Sequence, residues 1–111
     1  SEYINILIEN NLLGSDSIRV DKRPEPLFTS QPKYPQIALR KELEGEVYIK
    51  LWIKNDGTIQ KAKALIATDN IFIEPSLNAV MDWKLSPAKK DDKFIDVSIF
   101  VPIKFKLPKT P

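Results

Sequence analysis

A chain of 111 residues, with 42% hydrophobic and 29% charged residues, has the size and mix of one soluble globular domain plus an arm. Its formal net charge of +2 is too small to indicate a nucleic-acid or membrane surface by itself, and its apolar runs are far shorter than the ~20 residues of a membrane span. Because the chain has no Cys and no His, thiolate chemistry and the usual near-neutral acid–base group are missing. The sequence therefore predicts no catalytic residue, no metal site and no cofactor.

The first 32 residues carry two different patterns. An apolar set near the start recurs at roughly helical spacing: Tyr3, Ile4, Leu7 and Ile8. Gly14 is placed to end such a helix in a left-handed conformation. Three prolines, at positions 24, 26 and 32, then favour extended backbone. Residues 22–32 are therefore predicted to form an extended linker that lies on or beside the domain.

A short helix and a hairpin are predicted next. The helix covers Tyr34–Gly45, with Pro35 in its first turn and the glycine at its end. From Val47 to Lys54 aliphatic residues alternate strictly with Tyr, Lys and Trp, which gives a strand with one buried and one solvated face. Asn55-Asp56-Gly57 then predicts a tight turn. In the return strand, to Ala67, the parity slips near Gln60-Lys61, which indicates a bulge.

The second half of the chain predicts a longer helix and a last strand. The helix covers Phe72–Lys84; Asp69 or Asn70 caps its start, and Ser86-Pro87 stops it. Lys89–Lys93 is predicted to be a charged loop. Alternation from Ile95 to Leu107 then gives the last strand, and Pro102 places that strand at a sheet edge because proline cannot donate to a ladder.

These elements define an α+β fold, a two-layer sandwich. Two helices lie on one face of a three-stranded antiparallel sheet, where they bury the aliphatic row of each strand, and an N-terminal helical or extended arm is added. The expected strand order is second, first, third. The last strand is then open on its outer side.

Four aromatic residues and one acidic pair are candidates for special roles. Trp83 is predicted to anchor its helix in the core. The face opposite the aliphatic row carries Trp52, Tyr48 and Phe100, which are either covered by the arm or exposed as a binding or dimer surface. Asp91-Asp92 is predicted to be a solvated turn rather than a catalytic pair, since no His accompanies it.

A series of short motifs runs from residue 31 to residue 107. It comprises Gln31-Pro32-Lys33-Tyr34-Pro35, Ala38, Glu44-Gly45-Glu46-Val47, Asp56-Gly57, Phe72, Ala79, Trp83, Ser86-Pro87-Ala88 and Val101-Pro102-Ile103-Lys104-Phe105-Lys106-Leu107. In this order and spacing the motifs resemble the C-terminal domain of TonB-type energy transducers. The resemblance predicts residues 1–29 as an arm and linker, residues 30–107 as the TonB-like domain and residues 108–111 as a tail.

The resemblance implies a non-enzymatic periplasmic domain of a protein anchored in the inner membrane of a Gram-negative bacterium by an N-terminal helix outside this chain. In the family, the domain binds the TonB box, a short N-terminal segment of outer-membrane transporters. Inner-membrane proton-channel proteins are partners of the missing N-terminal region, and energy from the proton gradient drives uptake of iron chelates or cobalamin. No nucleic-acid partner is implied, and a homodimer is an open alternative.

The resemblance also implies which residues bind the partner peptide. In the family, the TonB box adds as a strand to the edge of the last strand, next to the extended segment that precedes Tyr-Pro. The matching positions in this chain are Gln31, Pro32, Lys33, Tyr34, Ile95, Val97, Ser98, Ile99, Phe100 and Val101. Some members have an Arg two residues after Tyr-Pro; here that position is Ile37, so a contact made by that Arg is not carried over.

The residues themselves favour the same class of function. An unpaired sheet edge offers backbone N–H and C=O groups to an extended peptide, and the charges and Pro102 of the last strand limit promiscuous pairing. Two alternatives are kept. One is a TonB-like interaction module of another envelope system, such as a TolA-like linker or the periplasmic tail of a membrane sensor. The other is a small enzyme, against which the absence of His, Cys and any nucleophile motif argues.

Overall fold

The computed structural model describes residues 20–108, so the helix predicted near the start of the chain lies outside the described residues. The elements follow in chain order as β1 (Pro26–Phe28), α1 (Gln36–Arg40), β2 (Gly45–Ile53), β3 (Ile59–Ala67), a 3₁₀ turn (Asn70–Phe72), α2 (Ile73–Val80), β4 (Lys84–Leu85), β5 (Ala88–Lys90), β6 (Lys93–Ile95) and β7 (Val97–Phe105). The predicted mixed fold, with two helices and a three-stranded antiparallel sheet, is confirmed. Within residues 20–108, no helix has the length and apolar character needed to span a bilayer.

β2 is the central strand of the main sheet. Both β3 and β7 run antiparallel to it, and the order β3–β2–β7 is the predicted one. The Asp-Gly signal marks the β2–β3 turn correctly: the Gly57 amide donates to the Lys54 carbonyl at 2.8 Å, and the Lys54 amide donates to the Thr58 carbonyl at 2.9 Å. Gly57 has a φ of +88°, which favours glycine at that position.

One face of this sheet forms the core. Alternate residues of β2 and β7 are at most 2% exposed: Val47, Ile49, Leu51, Ile53, Ile99, Val101, Ile103 and Phe105. Ala38 of α1 and Val80 of α2 belong to the same buried cluster, so both helices cover this face. Since full burial of an aliphatic side chain stabilises a fold by roughly 1.5–3 kcal/mol, this row is the main source of stability.

β3 departs twice from regular pairing with β2. Trp52 is opposite Lys61 while Ile53 is opposite Ile59, which leaves Gln60 as an extra residue at the predicted bulge. A second shift, between Tyr48–Ile66 and Ile49–Ala64, leaves Leu65 as an extra residue that the parity pattern did not reveal. Bulges of this kind twist a strand and interrupt its ladder.

α1 is shorter than predicted, and Gly45 does not end it. The helix closes where Glu42 adopts a positive φ of 53° and the Leu43 amide donates to the Ala38 carbonyl at 2.8 Å. Gly45 instead opens β2, where a Cβ would stand 2.5 Å from Cε2 of Phe72. This glycine is needed for the close approach of an aromatic ring and not for a helix cap.

α2 begins at Ile73, one residue after the predicted start, and ends earlier than predicted. Asp69, one of the two predicted caps, caps the 3₁₀ turn that leads into α2: its Oδ1 accepts a hydrogen bond from the Ile71 amide at 3.0 Å. The N-cap of α2 itself is Phe72, which makes no side-chain cap hydrogen bond. The helix stops at Val80 rather than Lys84, because Lys84 and Leu85 leave it to pair with β1. Trp83 is 2% exposed, which confirms its predicted place in the core.

The short strands tie the linker and the charged loop to the domain. β1 pairs with β4, and a bridge joins Lys22 to Lys89, so the linker lies on the domain as predicted. The segment predicted as a charged loop is the β5–β6 hairpin, whose two turn residues, Asp91 and Asp92, have φ values of 50° and 63°. Positive φ at both positions is the geometry of a type I′ turn.

Candidate functional site

β7 is a long edge strand with one regular ladder. Nine consecutive residues, Val97–Phe105, pair with β2 without a register shift, from Ile53–Val97 to Gly45–Phe105. Among residues 20–108, no strand pairs with the other side of β7. In an antiparallel strand the backbone groups point alternately to the two sides, so the outer side of β7 presents a row of donors and acceptors that a further strand can use.

The opposite edge of the sheet, formed by β3, is poorly suited to the same use. The extra residues Gln60 and Leu65 break its register within nine residues. Lys61 and Lys63 project from it and are exposed. Bulges and lysines are devices that protect sheet edges from pairing, so the two edges of this sheet differ in their capacity to accept a strand.

Most of the predicted binding residues of the last strand lie together on β7. Val97, Ser98, Ile99, Phe100 and Val101 form its first half, with alternate side chains on the two faces of the sheet. Ile95 is not in this strand; it pairs with Ala88 in the β5–β6 hairpin. The predicted strand Ile95–Leu107 is interrupted at Asp96, whose Oδ1 accepts a hydrogen bond from the Asn55 amide at 2.8 Å.

Of the predicted residues before α1, Tyr34 packs against the end of β7. Its ring meets those of Phe72 and Phe105 edge-on, with centroid distances of 5.9 and 5.5 Å, and those two rings stack at 4.4 Å. The Tyr34 hydroxyl donates a hydrogen bond to the Leu43 carbonyl. Edge-to-face and stacked pairs of this kind are worth about 0.5–1.5 kcal/mol beyond burial, so Tyr34 fixes the extended segment to the sheet.

The other predicted residues of this segment line a groove against α2. The groove has a volume of about 550 Å³, and its walls include Gln31, Pro32 and Lys33 on one side and Glu74, Pro75, Asn78 and Asp82 on the other. The structure therefore divides the predicted site between two places. Gln31–Lys33 belong to the helix layer, Val97–Val101 belong to the sheet edge, and Tyr34 connects the segment to the far end of β7.

A hydrogen-bonded link between the segment and α2 was not predicted from the sequence. The Trp83 indole Nε1 donates to the Ser30 carbonyl at 3.0 Å, and the Ser30 hydroxyl donates to the Ala79 carbonyl at 3.0 Å. Trp83 was predicted only as a core anchor. A buried Trp needs a partner for its N–H, and that requirement is the signal that would have pointed to an extended backbone nearby.

The face of the sheet opposite the core combines lysines with aromatic rings. We call this surface the lysine–aromatic face. It is centred on Tyr48, Lys50, Trp52, Lys61, Lys63 and Phe100, and their neighbours Glu46, Ile66, Ser98, Pro102 and Lys104 lie on the same face. Tyr48 is 38% exposed, Trp52 is half-buried, and Phe100 is only 8% exposed although it projects away from the core. A hydrogen bond to Glu46, together with the charge of that carboxylate, raises the pKa of the Tyr48 hydroxyl above its usual range.

The fold and the edge define a class: a small two-layer α+β domain with a three-stranded antiparallel sheet, in which no strand among residues 20–108 pairs with the outer side of the last strand. The family model of the Gram-negative bacterial TonB protein C-terminal matches residues 30–107, and the chain belongs to this family. Residues 20–29, which lie outside the match, are nevertheless packed on the domain through β1 and Lys22.

Relatives and a solved structure agree with the family. The chain is 34% identical over 96 residues to protein TonB of Vibrio cholerae. The aligned region covers 86% of this chain and 39% of that protein. It is 34% identical over 86 residues to protein tonB2 of Pseudomonas aeruginosa, covering 73% of the chain and 30% of the relative. The solution NMR structure of the Pseudomonas aeruginosa TonB CTD superposes with a TM-score of 0.67 and 25% identity, over 82% of this chain and 93% of that one. The chain thus spans less than half the length of the curated relatives it matches.

Proposed function

We propose that this domain binds the TonB box of outer-membrane transporters by strand addition to the outer side of β7. The observation that carries the proposal is the contrast between the two sheet edges. β7 offers nine residues in unbroken register, while β3 is interrupted at Gln60 and Leu65. Strand addition uses main-chain hydrogen bonds for affinity and alternate side-chain contacts for selectivity.

The side chains of β7 indicate what an added strand meets. One row of the peptide lies beside the buried residues Ile99 and Val101, and the other row lies beside Ser98 and Phe100 on the lysine–aromatic face. Pro102 lacks an amide N–H, so it interrupts the row of donors after the first half of the strand. The peptide is therefore proposed to engage Val97–Val101 rather than the whole of β7.

The remaining predicted contacts extend this site. Gln31, Pro32, Lys33 and Tyr34 are proposed to contact residues that flank the bound strand, and Ile95 is proposed to do so from the β5–β6 hairpin. Tyr34 is the member of this set that packs against β7 itself, through Phe105. These flanking contacts are expected to add specificity, because backbone pairing alone discriminates little between sequences.

The family gives the context in which binding is used. We propose that the whole protein is a non-enzymatic energy transducer, anchored in the inner membrane and coupled there to proton-channel proteins, and that this domain acts in the periplasm. Force passed through the domain to a transporter would drive uptake of iron chelates or cobalamin. Strand addition suits this role because several hydrogen bonds loaded side by side must break together.

The proposal is tested with a peptide that copies the N-terminal box of a transporter from the same organism. Binding is followed by amide chemical shifts of the ¹⁵N-labelled chain, and the largest shifts are expected in Val97–Val101. Affinity should be weak, since ordering a flexible strand offsets much of the hydrogen-bond energy. Peptides with N-methyl groups on alternate amides then separate the two sides of the bound strand.

The two methylated peptides are matched controls for each other. Methylation of the amides that face β7 should abolish binding, whereas methylation of the opposite set should be tolerated, because only one side of the peptide pairs with the domain. Equal loss with both peptides, or shifts confined to the Asp56-Gly57 turn with β7 unaffected, would contradict strand addition.

A further inference from the structure

The lysine–aromatic face carries positive charge that its own sheet does not neutralise. Lys50 and Lys63 are directly opposite each other across β2 and β3, an arrangement that is destabilising for like charges. The Lys50 and Lys61 ammonium groups both lie over the ring of Trp52, at 4.6 and 5.0 Å from its centroid. In the paired rows of this face the single acidic side chain is Glu46. A negatively charged partner would relieve this repulsion.

The same face carries apolar surface. Tyr48 is 38% exposed, and Ile66, opposite Tyr48 on β3, is 66% exposed. The helices and Tyr34 pack on the other face, where Phe105 contacts Phe72 and Tyr34. The partner that fits this surface is therefore a segment with both apolar and acidic side chains.

Residues 1–19 of the chain have this composition. They carry three carboxylates, those of Glu2, Glu9 and Asp16, and one guanidinium, that of Arg19, for a formal net charge of −2. Their apolar residues follow near-helical spacing at Tyr3, Ile4, Leu7 and Ile8. An amphipathic segment with this pattern has an apolar side to place on Tyr48 and Trp52 and acidic groups to place near the lysines.

The point where this segment joins the domain brings it within reach of the face. The amides of Asp21 and Lys22 donate to the Lys89 carbonyl in β5, whose partner β6 ends two residues before β7 begins. β7 is about 30 Å long at roughly 3.3 Å per residue. Residues 14–19, fully extended, span about 20 Å at roughly 3.3 Å per residue. The connection is long enough to lay the first thirteen residues along the face.

We propose that residues 1–19 dock on the lysine–aromatic face of their own chain. A second copy is a poorer occupant, because two copies of this cationic face repel each other. A covalently joined segment also acts at a millimolar effective concentration for a short flexible connection, so modest contacts suffice. Docking leaves the outer backbone of β7 to a partner strand, and the inference does not depend on the proposed strand addition.

Paramagnetic relaxation in the full chain tests the proposal. The chain has no Cys, so Asn5→Cys gives a single attachment point for a nitroxide. In the ¹⁵N-labelled protein the label should broaden the amide signals of Tyr48, Lys50, Trp52 and Phe100 and leave those of α2 sharp. The control is a mixture of two chains: one carries the nitroxide but no ¹⁵N, and the other carries ¹⁵N but no nitroxide. This mixture should show no broadening, since the contact is within one molecule.

Charge reversal supplies the matched controls. Lys61→Glu with Lys63→Glu should remove most of the broadening, and adding Glu2→Lys with Glu9→Lys should restore it. The same reversal on the β5–β6 hairpin, Lys90→Glu with Lys93→Glu, should leave it unchanged. About 1 M NaCl, where the Debye length is about 3 Å, should weaken the broadening in the unmodified background.

Each other pattern overturns the proposal. Uniformly sharp signals would show that residues 1–19 do not dock. Broadening centred on the outer side of β7, and insensitive to Lys61→Glu with Lys63→Glu, would place the segment on the sheet edge instead. Broadening in the mixed sample at equal strength would show that the segment docks on a second molecule.

Discussion

At the scale of single residues, the β2–β3 turn contains a titratable group with a clear stabilising role. The Asp56 carboxylate accepts hydrogen bonds from the Thr58 hydroxyl at 2.6 Å and from the Thr58 amide at 3.0 Å. These bonds hold the pKa of Asp56 below its usual value. Because the folded state favours the charged form, the stabilisation is present above the unfolded pKa and is lost as the pH falls through the folded pKa.

The first prediction follows from this turn. Thr58→Val removes the hydroxyl donor and keeps the shape, so the pKa of Asp56 should rise toward its ordinary value, as read from an NMR titration of the carboxyl carbon. The stability difference between Thr58→Val and the parent should be largest near neutral pH and shrink in acid. Asp56→Asn is the control, since in its background the effect of Thr58→Val should no longer vary with pH. An unchanged Asp56 pKa in Thr58→Val would contradict this account.

Gly45 shows where residue-level prediction from the sequence fails. Its position after a helical pattern indicated a helix cap. In the structure Gly45 instead packs under the Phe72 ring, and a Cβ at this position would lie 2.5 Å from a ring carbon. That contact joins residues far apart in the chain, and no local pattern encodes it. The Asp-Gly turn was predicted correctly, and Asp69, one of two predicted caps, caps the 3₁₀ turn that leads into α2, since each depends on neighbours within four residues.

At the scale of elements, the strict alternation of β2 and β7 determines the faces of the sheet. Leu51 is fully buried, while its neighbour Lys50 lies on the opposite face. Leu51→Ala should lower the free energy of unfolding by ~2–5 kcal/mol, because it leaves a cavity in a thin core. Ile99→Ala, opposite Leu51 on β7, should cost a similar amount.

Denaturant unfolding measures this second prediction, and Lys50→Ala is its matched control. That substitution removes a half-buried side chain from the other face and should change stability by less than about 1 kcal/mol. Equal midpoints for Leu51→Ala and Lys50→Ala would mean that the faces of β2 are assigned wrongly. A small domain has little stability in reserve, so Leu51→Ala is best compared at low temperature.

The elements that the sequence did not predict are those of two or three residues. β4, β5 and β6 are too short to show a period, and their pairing depends on partners such as Pro26, which is 59 residues from Leu85. The longer elements were predicted because periods of two or 3.6 repeat within them. The candidate edge was predicted as Ile95 to Val101; Val97–Val101 lie in β7, whereas Ile95 lies in β6 and pairs with Ala88.

At the scale of the whole molecule, residues 20–29 are an integral part of the folded unit. The Ser86 amide donates to the Glu25 carbonyl at 2.8 Å, and the Glu25 amide donates to the Ser86 hydroxyl at 2.9 Å. Pro24 is fully buried, and Lys22 exchanges backbone hydrogen bonds with Lys89. We call these contacts of residues 20–29 with Ser86 and Lys89 the clasp; it lies before residue 30, where the matched family region begins.

The last prediction concerns this clasp. A chain that begins at residue 30 should have a lower free energy of unfolding than a chain that begins at residue 20. The expected difference is about 1–3 kcal/mol, which is the contribution of a few hydrogen bonds at roughly 1 kcal/mol each. Ser86→Ala isolates one of those bonds: it should destabilise the chain that contains Glu25 and have no effect once residues 1–29 are absent. Thermal and denaturant midpoints of the four proteins measure the cycle. Equal stability of the chains beginning at residues 20 and 30, or an equal effect of Ser86→Ala in both, would show that the clasp contributes nothing to the fold.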